Sequence, residues 1–356
     1  MKPLIRACVR DLAGYEPGEQ PRQPGLVKLN TNENPYPPSP LVAAALAGIS
    51  AADLRLYPDP RHTRLREVIA GLHGVAPEQV FVGNGSDEIL ALCTRAFVED
   101  GERIGFFEPS YSLYPVLAAI RNVATDPVEL TDDFQWPTPG PGQGALFFLT
   151  NPNAPTGVLY PRATVATFCR SYAGVVVIDE AYADFARENC LELALREPNV
   201  LVVRSLSKSY SLAGLRLGYA VGPAPLVAAL FKLKDSYNVD RVAQALAEAA
   251  LADPGHMRGN VARIRATRER LTAALRALGF AVTPSEANFV WARPPRLSAR
   301  ALFEGLRRAG VLVRFFPGPR TGEHVRITVG TDAEVDRLLA AVAELVGGGI
   351  AVGRQP

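Results

Sequence analysis

From residue 79 onward the chain repeats one unit: a short apolar run, a turn of small polar residues, then a stretch with apolar side chains at helical spacing. Strand alternating with helix is the mark of a mainly parallel sheet wrapped by helices. The candidate strands are 79–82, 103–108, 145–150, 174–179, 200–204 and 217–221, with helices expected over 86–98, 111–121, 162–172 and 224–234. Five polar turns follow these strands, so a single sheet would gather them at one edge.

The turn after 200–204 organises the rest. Val200, Leu201, Val202 and Val203 read as a buried strand, broken at once by Ser205, Ser207, Lys208 and Ser209. The chain has five lysines among 38 basic residues, so arginine serves almost wherever a plain positive charge would do. A lysine amine condenses with an aldehyde to form a Schiff base, which a guanidinium does not do near neutral pH. Lys208 is therefore a candidate covalent anchor. Arg216, eight residues on, can return to the same turn and, with the hydroxyls of Ser205 and Ser207, hold a phosphate. An ordinary surface loop accounts for the same spacing.

Four further segments carry chemistry. Phe81–Glu88 (FVGNGSDE) reads as strand, glycine turn and helix start, where the backbone amides of Ser86 and Asp87 can cradle an anion. A dinucleotide fingerprint is disfavoured because Glu88 stands where its third glycine would be; a plain capping turn stays open. In Val175–Tyr182 (VVVIDEAY) a carboxylate follows an apolar strand, and a partly buried Asp179 needs a cationic or N–H partner to stay ionised. A protonated pyridine nitrogen would serve, with Tyr182 reaching a phenolic oxygen of the same ring; a strand-end acid capping a helix is the plainer reading. The turn 151–157 (NPNAPTG) offers amide donors. The segment 109–114 (PSYSLY) offers an aromatic face for a flat ring, although single aromatics more often belong to the core.

Composition narrows the class. At 356 residues a large α/β domain with a smaller companion is expected. A net charge of +2 with mixed signs recommends neither nucleic acid nor an acidic surface as partner. Cys8, Cys93, Cys169 and Cys190 form no CxxC pair and the four histidines do not cluster, so neither a disulfide framework nor a metal site is indicated. No run approaches 18 apolar residues and the N-terminus lacks a signal-peptide core, which makes the cytoplasm the default location and a membrane partner unexpected.

Residues 1–40, rich in Pro, Gly and Asn, read as an extended arm. Helices are expected over 39–49 and, after the Tyr57–Pro60 turn, through Leu65, Val68, Ile69 and Leu72. The large unit is expected over 41–255, ending with a helix at 239–251. The smaller α+β unit, 256–356, begins with a long helix over 256–278. It continues with strands at 287–292, 311–314 and 324–329, helices at 298–309 and 332–345, and a frayed end over 347–356; the arm is expected to rejoin it.

Together GNGSDE, PSYSLY, NPNAPTG, VVVIDEAY and SLSKSYSLAGLRLGY resemble the pyridoxal-phosphate enzymes of aminotransferase class I/II, fold type I, over essentially the whole chain. The segments YEPG, NENPYPPSP, YPDP, YNVD, PSEANFVW and VRITVG are most similar to the histidinol-phosphate branch of that family. The resemblance implies a cytoplasmic, homodimeric transferase with pyridoxal 5'-phosphate as cofactor and an amino donor and a 2-oxo acid as small-molecule partners. Lys208 would carry the cofactor and shuttle the substrate proton, and Asp179 would keep the pyridine nitrogen protonated. Tyr182 and Asn153 would bind the phenolic oxygen, and Tyr111 would stack on the ring. The Ser86 and Asp87 amides, Ser205, Ser207 and Arg216 would hold the phosphate, with Tyr57 entering from a second subunit. Arg314 and Arg326 would meet the substrate's anionic end and Tyr15 its phosphate. One departure stands out: the family's asparagine before Pro-Thr-Gly is Ala154 here.

The amino-group transfer expected is between histidinol phosphate and 2-oxoglutarate, in histidine biosynthesis. Rival readings are an aminotransferase for aromatic or other amino acids, a decarboxylase of a phosphorylated amino acid, and a cofactor-binding regulatory module. The last is disfavoured because no basic helix-turn-helix segment precedes the arm.

Overall fold

The computed structural model describes residues 4–21, 23–138 and 140–347. The frayed end expected over 347–356 therefore lies, from 348 on, outside the described residues. The arm includes a four-residue helix, Ala7–Arg10, and the first strand, β1 (Val27–Lys28).

Seven strands form the main sheet: β2 (Val80–Gly83), β3 (Arg103–Glu108), β4 (Ala124–Glu129), β5 (Leu146–Thr150), β6 (Val175–Asp179), β7 (Val200–Ser205) and β8 (Gly218–Val221). Their order is β2-β8-β7-β6-β5-β3-β4, and β8 alone runs against its neighbours. The inner strands β5, β6, β7 and β8 are almost wholly buried because both faces are covered. Val200 and Val202 face a core shared with helices Thr63–His73, Arg162–Ser171 and Arg241–Leu251. Leu201 and Val203 point the other way, into a core shared with Gly85–Phe97, Leu113–Arg121 and Ala224–Leu233. Period-two alternation thus serves two buried layers.

The expected sheet omitted one strand. β4, with sequence ATDPVE, carries a proline and two acids, which a central strand would not tolerate. It pairs only with β3, at the sheet edge, where one row of backbone groups needs no partner.

Pro254–Ala277 is a 24-residue helix that leads into a second sheet. Strands β9 (Ala281–Thr283) and β10 (Phe289–Arg293) join it after that helix. The expected strand at 311–314 is two strands. β11 (Val311–Leu312) pairs in parallel with β1, and β12 (Arg314–Phe315) turns to pair with β13 (Val325–Thr328). The four-stranded order is β12-β13-β10-β9, with helices Ala299–Arg308 and Asp332–Gly347 sharing its core. Residue 255 lies in the first turn of the long helix, and β1 ties the arm to this smaller sheet. Among the described residues no helix is long and apolar enough to cross a membrane.

Candidate active site

Parallel strands end at one edge, so their following turns meet. β2 delivers Ser86 and Asp87, β3 delivers Ser110 and Tyr111, β5 ends at Thr150, β6 at Asp179 and β7 at Ser205. Arg216 joins them because it precedes β8, whose reversed direction puts its start at the same edge. These residues line a cleft of about 210 Å³, closed on its far side by Tyr15, Asn30, Thr31 and Asn32 of the arm and by Arg314, Phe316 and Arg326.

Lys208 occupies the cleft floor. Its Nζ donates to the Thr31 carbonyl at 3.3 Å and lies 6.0 Å from the Tyr182 ring centroid. Burial, helped by the Arg326 and Arg216 charges, pushes its proton affinity down to about 8, so the amine is readily neutral and nucleophilic. Asn34 braces the turn from the arm, its amide donating to the carbonyls of Lys208 and Ser209 at 3.0 and 3.2 Å.

Asp179 is 3% exposed, and burial pushes its pKa up to about 6. The Ala181 N–H donates to Oδ1 at 3.1 Å and the Tyr114 hydroxyl to Oδ2 at 3.2 Å. Tyr114 has one proton, so its 2.5 Å contact with Thr150 Oγ1 is donated by Thr150, which leaves Ser110 as the donor in the 3.3 Å contact behind. Three hydroxyls in series thus point their protons toward one carboxylate. Among the described residues no side-chain cation pairs with it, which suits a cationic ring nitrogen.

The opposite end suits an anion. Gly85 opens the 13-residue helix at φ +78°, and a Cβ there would lie 2.7 Å from Arg216 Nη2. A Cβ on Gly218 would lie 2.5 Å from the Ser86 nitrogen, so both glycines keep open the space where helix amides face the guanidinium. Arg216 reaches Asp87 at 3.4 Å and Ser207 Oγ at 3.5 Å, and Ser205 Oγ accepts from the Ser207 N–H at 3.1 Å. Tyr111 donates to Asp87 at 3.2 Å and meets Tyr15 edge-on at 5.7 Å. A flat ring with a cationic nitrogen at one end and a phosphate at the other fits between Asp179 and Arg216.

A second anion subsite lies above. Arg314 and Arg326 are direct cross-strand partners on β12 and β13, an unfavourable placement of like charges unless an anion bridges them. Phe316 lies 5.1 and 5.2 Å from their guanidinium carbons. Arg314 donates to the carbonyls of Glu16 and Pro17, and Arg326 to that of Asn30, so both also hold the arm.

A family model described as "Aminotransferase class I and II" matches residues 24–342. The chain belongs to this aminotransferase family. It is 46% identical over 346 residues to a histidinol-phosphate aminotransferase of Geobacter sulfurreducens, covering 96% of this chain and 99% of the relative. It is 48% identical over 349 residues to histidinol-phosphate aminotransferase 1 of Bradyrhizobium diazoefficiens, covering 95% and 98%. The crystal structure of the Sinorhizobium meliloti histidinol-phosphate aminotransferase with pyridoxal-5'-phosphate superposes with a TM-score of 0.87 at 26% identity, covering 97% and 98%.

Asn153 of this aminotransferase does not face the cleft as expected, and Tyr57, expected to enter from a second subunit, is not among the residues lining this chain's own cleft. Asn153 is fully buried, and its amide donates to the Pro109 carbonyl at 3.1 Å and Thr156 Oγ1 at 2.9 Å, away from the cleft that Ala154 lines. Tyr57 lies outside the cleft, 76% exposed and stacked on Tyr237 at 4.3 Å. Tyr114, Thr150 and Asn32 escaped sequence reasoning because each acts across 30 residues or more, and only the repeated tyrosine of PSYSLY hinted at the first.

Proposed function

We propose that the chain is a pyridoxal-phosphate-dependent aminotransferase that passes the amino group between histidinol phosphate and 2-oxoglutarate, a step of histidine biosynthesis, as a cytoplasmic homodimer. The observation that carries this is a lysine amine of lowered proton affinity set between a buried carboxylate and an arginine-lined helix N-terminus, in a chain 43% to 48% identical to enzymes named for that substrate.

Bound in the cleft and linked to Lys208, pyridoxal phosphate supplies an aromatic ring that accepts electrons from the substrate carbon. Asp179 holds a proton on the ring nitrogen. Arg216, Ser205, Ser207 and the amides of Ser86 and Asp87 bind its phosphate, and Tyr111 covers the ring. Lys208 Nζ would serve as the base and acid that moves the proton at the substrate carbon. Arg314 and Arg326 orient the substrate through its anionic group, with Tyr15 beside them. The large unit 41–255 carries the cofactor, while the arm and 256–356 close over the substrate. Tyr57, exposed in one chain, reaches the partner subunit's cleft.

Borohydride reduction after cofactor loading is expected to fix the cofactor on Lys208 and no other lysine. In a separate assay, the unreduced, cofactor-loaded protein with histidinol phosphate and 2-oxoglutarate is expected to yield glutamate. Turnover of aromatic amino acids alone, or carbon dioxide release from a phosphorylated amino acid, would replace this reading.

A further inference from the structure

The NPNAPTG turn presents no amide to the cleft, since Ala154 has none and Asn153 faces away. A side-chain amide nevertheless reaches Tyr182. It comes from the arm: Asn32 Nδ2 donates to Tyr182 Oη at 2.9 Å. Asn32 is 1% exposed and takes a left-handed φ of +56°, a conformation asparagine adopts more readily than most residues.

Everything around Asn32 fixes its direction. Its N–H donates to Thr328 Oγ1 at 2.9 Å, while the Thr328 hydroxyl donates to Asn32 Oδ1 at 3.0 Å. Its carbonyl accepts from the Asn288 amide at 3.0 Å. With Oδ1 engaged, only the NH2 group can face the phenol. Because Tyr182 Oη accepts there, its own proton is left to point into the cleft. Thr328 also lies two residues from Arg326 on β13, so the strand that carries an anion-binding arginine holds Asn32 as well.

We propose that Asn32 is a positioning residue that acts through Tyr182, aiming the phenol's proton at the cofactor's ring oxygen in place of the amide missing at Ala154. The proposal rests on the pyridoxal-phosphate reading above. A hydrogen bond accepted by a hydroxyl strengthens the one it donates. Donation to the ring oxygen draws charge from it and weakens its hold on the proton it shares with the Lys208 nitrogen. Loss of the Asn32 amide therefore strengthens that hold.

The test is a double-mutant cycle read by the pH midpoint of the bound cofactor's visible band. Asn32→Ala is expected to raise the midpoint by about half a pH unit in the native background. In the Tyr182→Phe background it is expected to leave the midpoint unmoved. Should Asn32→Ala not fold, Asn32→Ser, too short to reach the phenol, completes the same cycle. No shift in the native background overturns the proposal, and so does an equal shift in both backgrounds, which marks a merely structural role. Native protein that shows no visible band and takes no borohydride label instead sinks the cofactor reading, and this proposal with it.

Discussion

Asp179 and Tyr114 form the pair on which the cleft's electronics depend, and burial sets their terms. The folded carboxyl, pushed up to about 6 from 3.8, holds its proton more tightly than the unfolded one. Stability of the cofactor-free chain therefore falls as pH rises from about 3.8 to about 6, and the full penalty stands at neutral pH. Asp179→Asn is expected to stabilise the cofactor-free chain on the order of 2 kcal/mol at pH 7. The gain should shrink toward zero at about pH 3, below both pKa values, where both carboxyls are mostly neutral, as read by denaturant midpoints at the two pH values. The same substitution is expected to lower turnover by at least about a hundredfold, because the ring nitrogen loses its anionic partner. The Tyr114 hydroxyl works against the burial penalty, since it donates to the ionised form. A sequence separation of 65 conceals the pair, although VVVIDEAY marks the acid itself.

Among the elements, the helix Gly85–Phe97 shows how a local sequence becomes a binding surface. Its start combines a left-handed glycine with free backbone amides, and β8 can approach because Gly218 has no side chain. Gly85→Ala is expected to weaken cofactor affinity at least about tenfold and to destabilise the chain by about 1–2 kcal/mol, through both its φ of +78° and the Cβ contact with Arg216. Fluorescence titration with pyridoxal phosphate and thermal unfolding would check the two effects separately. The GNGSDE motif was legible as a glycine turn from strand to helix because a helix start is a local event. The edge strand β4 was not legible, because a proline and two acids are tolerated only where a neighbour is missing.

At the scale of the whole molecule, the arm, two sheets and an exposed face divide the work. Leu41, Leu46, Leu54, Leu56, Tyr57 and Tyr237 are all exposed, apolar surface that the proposed second copy of the chain would cover. Light scattering is expected to give twice the 38.3 kDa chain mass. Tyr57→Ala is expected to keep that mass while weakening cofactor affinity about tenfold, the loss of one charge-assisted hydrogen bond. The sequence by itself determined the alternating fold, the lysine turn, the acid at the end of β6 and the arginine that follows the turn, because strand periodicity and strand-end chemistry are written within a few residues. Only the tertiary structure decided that Asn153 faces inward, that three hydroxyls run in series to Asp179 and that Asn32 of the arm holds Tyr182. Those outcomes depend on which hydrogen-bond partner lies nearest once distant segments pack together.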